Sequence, residues 1–420
     1  MSEASRVSAL APFRVRAFRF QWPADLATSW AFDMETIILS WYVLVETESV
    51  LLLTFFVSLQ YVGTLAAPMF GVVGDRVGQR NLLCAMRATY ATLATMVTML
   101  AFMHLLSPAY VFAIAALSGL VRPSDIGVRI AVVGETLPAT QLMSAMAIQR
   151  TTQDSARVAG ALTGAGVMAA LGIGPAYAVV ACLYATSFLL TLKAGGRHVP
   201  SSEPPMRLAG ARQSPWRDLK EGLAYVWSTP HLLAVMCLAF LLNVTAFPQL
   251  TGFLPYVAKE IYRTDQTGLG YMVASAAFGA LMCSIVLSRL GSVMPPARMM
   301  MVSCLFWYSM LFVFAHTQHP VGGILVLMLV GCGQSLANVP MATLLLRTSD
   351  PRFRGRIMGV RMMAIYGNLP GLWIAGPLIN HIGYPVTATV YCIVGMMFTL
   401  LIGVRWRADV WRLEAVANAR

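Results

Sequence analysis

Between residues 20 and 45 an otherwise apolar stretch carries Asp25, Ser29, Asp33 and Thr36. On a helix, at about 100° per residue, the i, i+4, i+8 and i+11 spacing holds them within roughly 80° of arc. That predicts a polar stripe aimed at a cavity. Glu35 stands two residues past Asp33 and so points about 160° away, towards a neighbouring helix or another wall. A second stretch sets Arg122, Asp125 and Arg129 on one face at i, i+3 and i+7, and a third sets Asp154 and Arg157 at i, i+3.

Two kinds of chemistry suit these groups. Burial disfavours the charged form of a carboxylate, so an Asp33 without a close cation would exchange a proton near neutral pH. Asp33 is the first candidate for proton coupling, Glu35 the second and Asp154 the third. Arg122 or Arg157 would then serve as counter-charge or hold an anionic group of a ligand. The other reading is a static salt-bridge network of Asp25, Arg122, Asp125, Arg129 and Arg157, and a tight pair at Asp33 would favour it. Asp25, Arg129 and Arg150 are expected towards one end of their helices, snorkelling or gating.

The second half of the chain is different in kind. Its apolar stretches hold Asn243, Gln334, Asn338, Tyr366 and Asn368, with Arg361 at the start of the stretch near 356–380. These suit neutral hydrogen-bonding recognition. Trp30, Phe240, Trp307 and Trp373 could stack on a ring, or simply pack. Pro248, Pro255, Pro370 and Pro377 are hinges or tolerated kinks. No metal or cofactor is expected. The six His form no HExxH, and the seven Cys lie in apolar runs without CxxC. None of the three lysines, Lys193, Lys220 and Lys259, follows a Gly, so there is no phosphate-binding GxxxxGK[ST] loop.

The elements that position these groups follow from composition. The chain has 420 residues, 58% hydrophobic and 11% charged, and a mean hydropathy of +0.68. A soluble domain is nearer ~45–50% apolar and ~25% charged, so a polytopic all-α membrane protein is expected. About 20 mostly apolar residues make a span. Twelve stretches qualify, near 20–45, 50–72, 82–106, 109–133, 143–171, 174–193, 232–257, 267–289, 297–316, 321–346, 356–380 and 384–404.

The net charge of +12 punctuates these stretches instead of lining one face of a soluble domain, so it reads as topology and not as nucleic-acid binding. Basic residues crowd the N-terminal tail (Arg6, Arg14, Arg16, Arg19), the loop with Arg76, Arg80 and Arg87, and the central loop from Lys193 to Lys220. They recur at Arg289 and Arg298, from Arg347 to Arg356, and in the C-terminal tail. The opposite side has only Lys259 and Arg263. Both termini are therefore expected in the cytoplasm, with the first helix retained and not cleaved as a signal peptide.

The one long polar break, 194–230, separates residues 1–193 from 231–420, two expected six-helix bundles. Within it Trp216, Leu219, Leu223 and Val226 share a helical face, which fits a helix on the cytoplasmic membrane surface or a solvated linker helix. The halves look duplicated. Arg76-Val77-Gly78 recurs as Arg289-Leu290-Gly291, and Pro138 recurs as Pro351 at the same offset. Paired repeats with a site between them at mid-depth are a common transporter plan.

The loop after the second stretch reads Gly71-Val-Val-Gly-Asp75-Arg76-Val-Gly78-Gln79-Arg80. It resembles the signature loop of the major facilitator superfamily, with Gln79 in place of one usual basic residue. The resemblance implies that Asp75, Arg76 and Arg80, with Gly71 and Gly78, latch the cytoplasmic side against the second half near the eleventh helix. Phe18-Arg19-Phe20, Trp41-Tyr42-Val43-Leu44 and Arg354-Gly355-Arg356-Ile357-Met358-Gly359 resemble the branch of the enterobactin exporter and macrolide-efflux proteins. Exporters of the superfamily often carry Gly-Pro-x-x-Gly-Gly in the fifth helix; here Gly160-Ala161-Leu-Thr-Gly164-Ala165-Gly166 lacks the proline, which leaves direction open.

The expectation is a secondary transporter, not an enzyme. By resemblance it exports a small amphipathic or aromatic molecule, drug-like or siderophore-like, by proton antiport. The alternative is proton-coupled uptake of a nutrient or vitamin-like molecule. A small-molecule substrate, protons and the lipid bilayer are the expected partners, with no nucleic acid. The chain is expected as a monomer in a bacterial inner membrane.

Overall fold

The computed structural model describes residues 11–194, 215–290, 296–348, 357, 360, 361 and 363–406. Among these residues all regular structure is helical. This is the physical consequence of an apolar setting, where a helix satisfies every backbone N–H and C=O within its own segment.

The first helices are α1 (Arg16–Thr47), α2 (Val50–Leu59), α3 (Ala67–Val77), α4 (Gln79–Phe102), α5 (Pro108–Thr136), α6 (Ala139–Leu171) and α7 (Ile173–Lys193). Then follow α8 (Pro215–Ser228), α9 (Pro230–Thr245), α10 (Phe247–Thr251), α11 (Leu254–Tyr256), α12 (Gln266–Leu290), α13 (Pro296–His316) and α14 (Pro320–Thr348). The chain closes with α15 (Asn368–Ile382) and α16 (Tyr384–Arg405).

Among the described residues, eight helical segments are long and apolar enough to cross a membrane by length and composition alone. The other four expected spans have identifiable reasons for missing that criterion. α1 and α6 carry the internal charges, including Asp25, Asp33 and Glu35 in one and Arg150, Asp154 and Arg157 in the other. The second span is broken by a 3-10 turn at Val62–Ala66 between α2 and α3. The eleventh passes through a 3-10 turn at Ala364–Gly367 into α15. The seventh span, expected near 232–257, continues through α10 and α11 into a π-helical turn at Val257–Ile261. Pro248 and Pro255 stand at the first turns of α10 and α11, where a missing N–H costs nothing. The architecture is thus the expected twelve-span, all-α membrane fold.

Tight connections use glycine where the backbone requires it. Gly172, between α6 and α7, has φ +84°, and Gly383, between α15 and α16, has φ +82°. These are corresponding connections of the two halves, and both need the left-handed region that a side chain disfavours. Gly78, between α3 and α4, has φ +93°. Its sequence counterpart Gly291 lies outside the described residues, as does Pro351.

The chain forms two compact units, Met1–Leu39 with Val62–Ala211 and Ser40–Tyr61 with Arg212–Arg420. In the first, Phe18, Val133, Leu137 and Ala145 form one buried cluster, backed by Phe13 and Trp22. In the second, Trp307, Tyr308, Leu345 and Cys392 belong to a larger core. α2 belongs to the second unit and rests on α15, where the Trp373 indole donates to Ser58 Oγ at 3.1 Å.

The polar break falls partly outside the described residues, which resume at α8. Here the expected shared face divides. Val226 is buried in the core of the second unit, whereas Leu223 and Trp227 are exposed, Trp227 by 77%. Val226 belongs to the same buried cluster as Leu232 and Ile357.

Candidate functional site

The charges of the first unit come from four helices, α1, α4, α5 and α6. Asp25 of α1 is 3% exposed and pairs with Arg87 of α4. Gln21 and Gln149 donate to its two oxygens at 2.8 and 3.1 Å. Arg129 of α5 reaches it at 3.8 Å and holds Asp125 at 2.5 Å. The Arg129 Nη1 also donates to Ser29 Oγ at 2.9 Å. Arg87 is 0% exposed and donates to Thr191 of α7 as well. Two carboxylates and two guanidiniums thus cancel in a space that excludes water, as buried charges require.

This corrects three expectations. The stripe of Asp25, Ser29, Asp33 and Thr36 does not face open space along its length, because guanidiniums from other helices meet every member. Asp25 and Arg129 are buried and paired, so neither snorkels. Arg87 is an interior residue of α4, not a loop charge that marks topology.

Further along α1 the surroundings change. Arg122 of α5 donates to the Phe32 carbonyl at 3.2 Å and to Thr36 Oγ1 at 3.1 Å, with its guanidinium 4.4 Å from the Phe32 ring centroid. That geometry is a cation–π contact. Asp33 faces α6, where Arg157 Nε lies 3.8 Å from its Oδ1. Both side chains are part-exposed, Asp33 by 27% and Arg157 by 42%. Asp154 is buried and takes Arg150 at 3.2 Å, not Arg157.

Glu35 points the other way, as its offset from Asp33 requires. It is buried, and its two oxygens accept the phenol hydroxyls of Tyr177 at 2.9 Å and Tyr184 at 2.5 Å, both from α7. Three carboxylates on one helix therefore have three environments: an ion-paired interior for Asp25, a loose and accessible pair for Asp33, and a tyrosine clamp for Glu35.

α1 can approach α6 this closely because α6 offers glycine. A Cβ at Gly160 would lie 2.7 Å from the Asp33 Cβ, and one at Gly164 would lie 3.1 Å from the Met34 Cα. The four-residue spacing is the small-residue contact of membrane helix pairs. Trp30 is held to the same helix by its indole, which donates to Thr163 Oγ1 at 2.8 Å.

The loop expected as a gate is partly described. Arg80 donates to the Leu192 carbonyl of α7 at 2.6 Å, tying the start of α4 to the end of α7. Arg76 and Gly78 are exposed. Gln79, which departs from the family pattern, lays its side chain over Gly74, where a Cβ would meet it at 2.5 Å. The backbone of Gly71 and Asp75 is helical, in α3, and the Asp75 side chain lies outside the described residues. So do Arg354, Gly355, Arg356, Met358 and Gly359.

In the second unit a cavity of about 70 Å³ lies among Leu242, Asn243, Phe247, Asn338, Met341 and Arg361. Asn368 donates to Asn243 Oδ1 at 2.9 Å, which fixes that amide. Asn338 Nδ2 is tied to the Gln334 carbonyl at 2.9 Å. Gln334 and Tyr366 are half-buried and do not line this cavity. Of the aromatic candidates, Trp307 is buried against Phe247, with ring centroids 5.2 Å apart, whereas Phe240 and Trp373 are exposed.

Several partners were beyond sequence reasoning. Gln21, Gln149, Tyr177 and Tyr184 carry no motif, and only the buried polar character of each within an apolar run hints at a role. Among the described residues no group of three or more His, Cys, Asp or Glu is placed to hold a metal ion.

The sequence model of the Major Facilitator Superfamily matches residues 26–372. Among solved structures, a D-xylose–proton symporter is similar with a TM-score of 0.72 at 12% identity, covering 91% of this chain and 96% of that one. The nucleoside transporter NupG gives a TM-score of 0.67 at 15% identity, covering 94% and 98%. The human organic anion transporter MFSD10 gives 0.65 at 15% identity, covering 93% and 99%. At these identities the likeness is one of fold. No curated protein sequence matches the chain.

Proposed function

Because the chain belongs to the Major Facilitator Superfamily, a family of membrane transporters and not of enzymes, we propose that it is a proton-coupled secondary exporter. Its cargo is a small amphipathic or aromatic molecule, carried across a bacterial inner membrane with both chain termini in the cytoplasm. Residues 1–193 and 231–420 are the two halves that alternate, with 194–230 as their linker. The chain acts as a monomer.

One observation carries the reading. Of the α1 carboxylates Asp25, Asp33 and Glu35, Asp33 alone is part-exposed with its cation at 3.8 Å, beyond a direct hydrogen bond. Asp25 and Glu35 are buried, with their oxygens engaged. A proton arriving at Asp33 cancels its charge and releases Arg157 at little cost to the fold. The unprotonated carboxylate instead accepts a cationic or hydrogen-bond-donating group of the substrate, so proton and substrate compete for Asp33. Competition of that kind is the thermodynamic content of antiport, because each ligand shifts the other's affinity by the same factor. Asn243, Asn338 and Asn368 supply neutral hydrogen bonds to the cargo, and Asp75, Arg76 and Arg80 bias which side is closed.

The stretch Gly160–Gly166 without its proline favours a second reading, proton-coupled uptake through the same groups. Flux in everted vesicles with an imposed proton gradient, over a pooled panel of metabolites and drugs, separates the two. Accumulation that collapses with an uncoupler is expected. Accumulation only in right-side-out vesicles would replace export by uptake.

A further inference from the structure

The seven cysteines are unpaired as disulfides, yet two of them, far apart in sequence, meet. α12 and α14 cross at small residues. A side chain on Gly279 would run into the Met328 carbonyl, and one on Gly331 would run into the Ala276 carbonyl. One turn past Gly279 on the same face stands Cys283. Side chains on a helix lean towards its N-terminus, so the Cys283 thiol lies over the Gly279 turn. From α14 the Cys332 thiol reaches that turn and contacts the Gly279 carbonyl at 3.2 Å. The two thiols are thereby neighbours across the helix crossing.

Both cysteines are half-exposed. Their neighbours at the rim, Met282, Val286, Met328 and Leu329, are exposed apolar side chains, which in a membrane face lipid. The pair is therefore open to lipophilic reagents and closed to hydrated ones. The surroundings also choose between two fates of a dithiol. A metal site would need further donor side chains, and among the described residues no group of three or more His, Cys, Asp or Glu gathers to hold one, whereas a disulfide needs only the two thiols.

We propose that Cys283 and Cys332 are a redox modification site, closed to a disulfide between α12 and α14 by a lipid-soluble quinone-class oxidant. The two S–H bonds break and one S–S bond forms. Two electrons and two protons pass to the quinone, which leaves as the hydroquinone. A dithiol reductant reverses the step. The bond clamps two helices whose glycine crossing already brings their backbones together, so little rearrangement is needed to satisfy disulfide geometry.

The full-length protein in native membranes is treated with decylubiquinone, whose ring has no open position for thiol addition. Free thiols are then alkylated, and the protein is digested with trypsin. Arg289 and Arg298 separate the two cysteines into different peptides. Cys304 shares a peptide with Cys332, so a Cys304→Ser background assigns the link. The expected result is a peptide joining Cys283 to Cys332, abolished by reduction and by either Cys283→Ser or Cys332→Ser. The same treatment of denatured protein is expected to lose this preference. Retention of both thiols in the alkylated state in folded protein would overturn the proposal, as would a link between any other two cysteines. Size-exclusion profiles of the serine variants distinguish loss of the link from loss of the fold.

Discussion

Asp33, Glu35 and Asp25 show how strongly environment separates identical chemistry on one helix. Asp33→Asn removes only a half-exposed pair, which is worth about 0–1 kcal/mol. Its thermal stability should therefore match wild type within that margin, while substrate flux loses its dependence on a proton gradient. A pH profile of exchange tests the same point, being flat for Asp33→Asn and sloped for wild type. Retained coupling in Asp33→Asn would move the proton site to Glu35, the second candidate, and Glu35→Gln would then have to abolish it. Glu35→Gln should behave differently in stability. Its amide has one acceptor oxygen where two tyrosine hydroxyls need two, so a buried donor is orphaned at a cost of about 1–3 kcal/mol, read as a lower unfolding midpoint. Arg87→Met strips Asp25 of its closest cation in a water-free site. A loss of about 3–5 kcal/mol follows, and the double variant with Asp25→Leu should recover a measurable part of it.

At the scale of helices, small residues decide where partners approach. Gly160 and Gly164 let α1 lie against α6, and Gly279 and Gly331 let α12 lie against α14. Gly164→Leu should separate α1 from α6 and cost about 1–3 kcal/mol by overpacking. It should also widen the Asp33–Arg157 gap, so substrate affinity and proton coupling fall together with the melting temperature. By contrast Gly127 and Gly166 have open space where a Cβ would stand. Gly166→Ala is expected to leave melting temperature and flux unchanged, and this contrast separates a packing effect from a general dislike of substitution in spans.

At the scale of the molecule, the charges divide. Ion pairs gather in α1, α4, α5 and α6, while amides and one guanidinium gather around the cavity of the second unit. A transporter with this division should respond to proton gradient through the first set and to substrate identity through the second. Asn243→Ala and Asn338→Ala are therefore expected to shift apparent substrate affinity several-fold while the ratio of protons to substrate stays as in wild type. Measuring both quantities in the same vesicles checks the division; a changed ratio in either variant would dissolve it.

Much of this was legible from the chain by itself. Span number and the paired halves follow from local rules, since a bilayer demands about 20 apolar residues per crossing and internal satisfaction of the backbone. The i, i+4, i+8 spacing of Asp25, Ser29 and Asp33, and the opposed direction of Glu35, are properties of one helix and were readable for that reason. What the spacing could not say is which partner each group meets. Arg87 looked like a loop charge, because its burial depends on Asp25 and on Thr191, far along the sequence. The clamp on Glu35 required two tyrosines on one face of α7 to meet α1, and the thiol pair required two helices to cross at glycine. Periodicity reports the direction of a side chain from its own axis. Only the packing of several axes decides what stands opposite, and in this protein that decision separates a locked carboxylate from an accessible one.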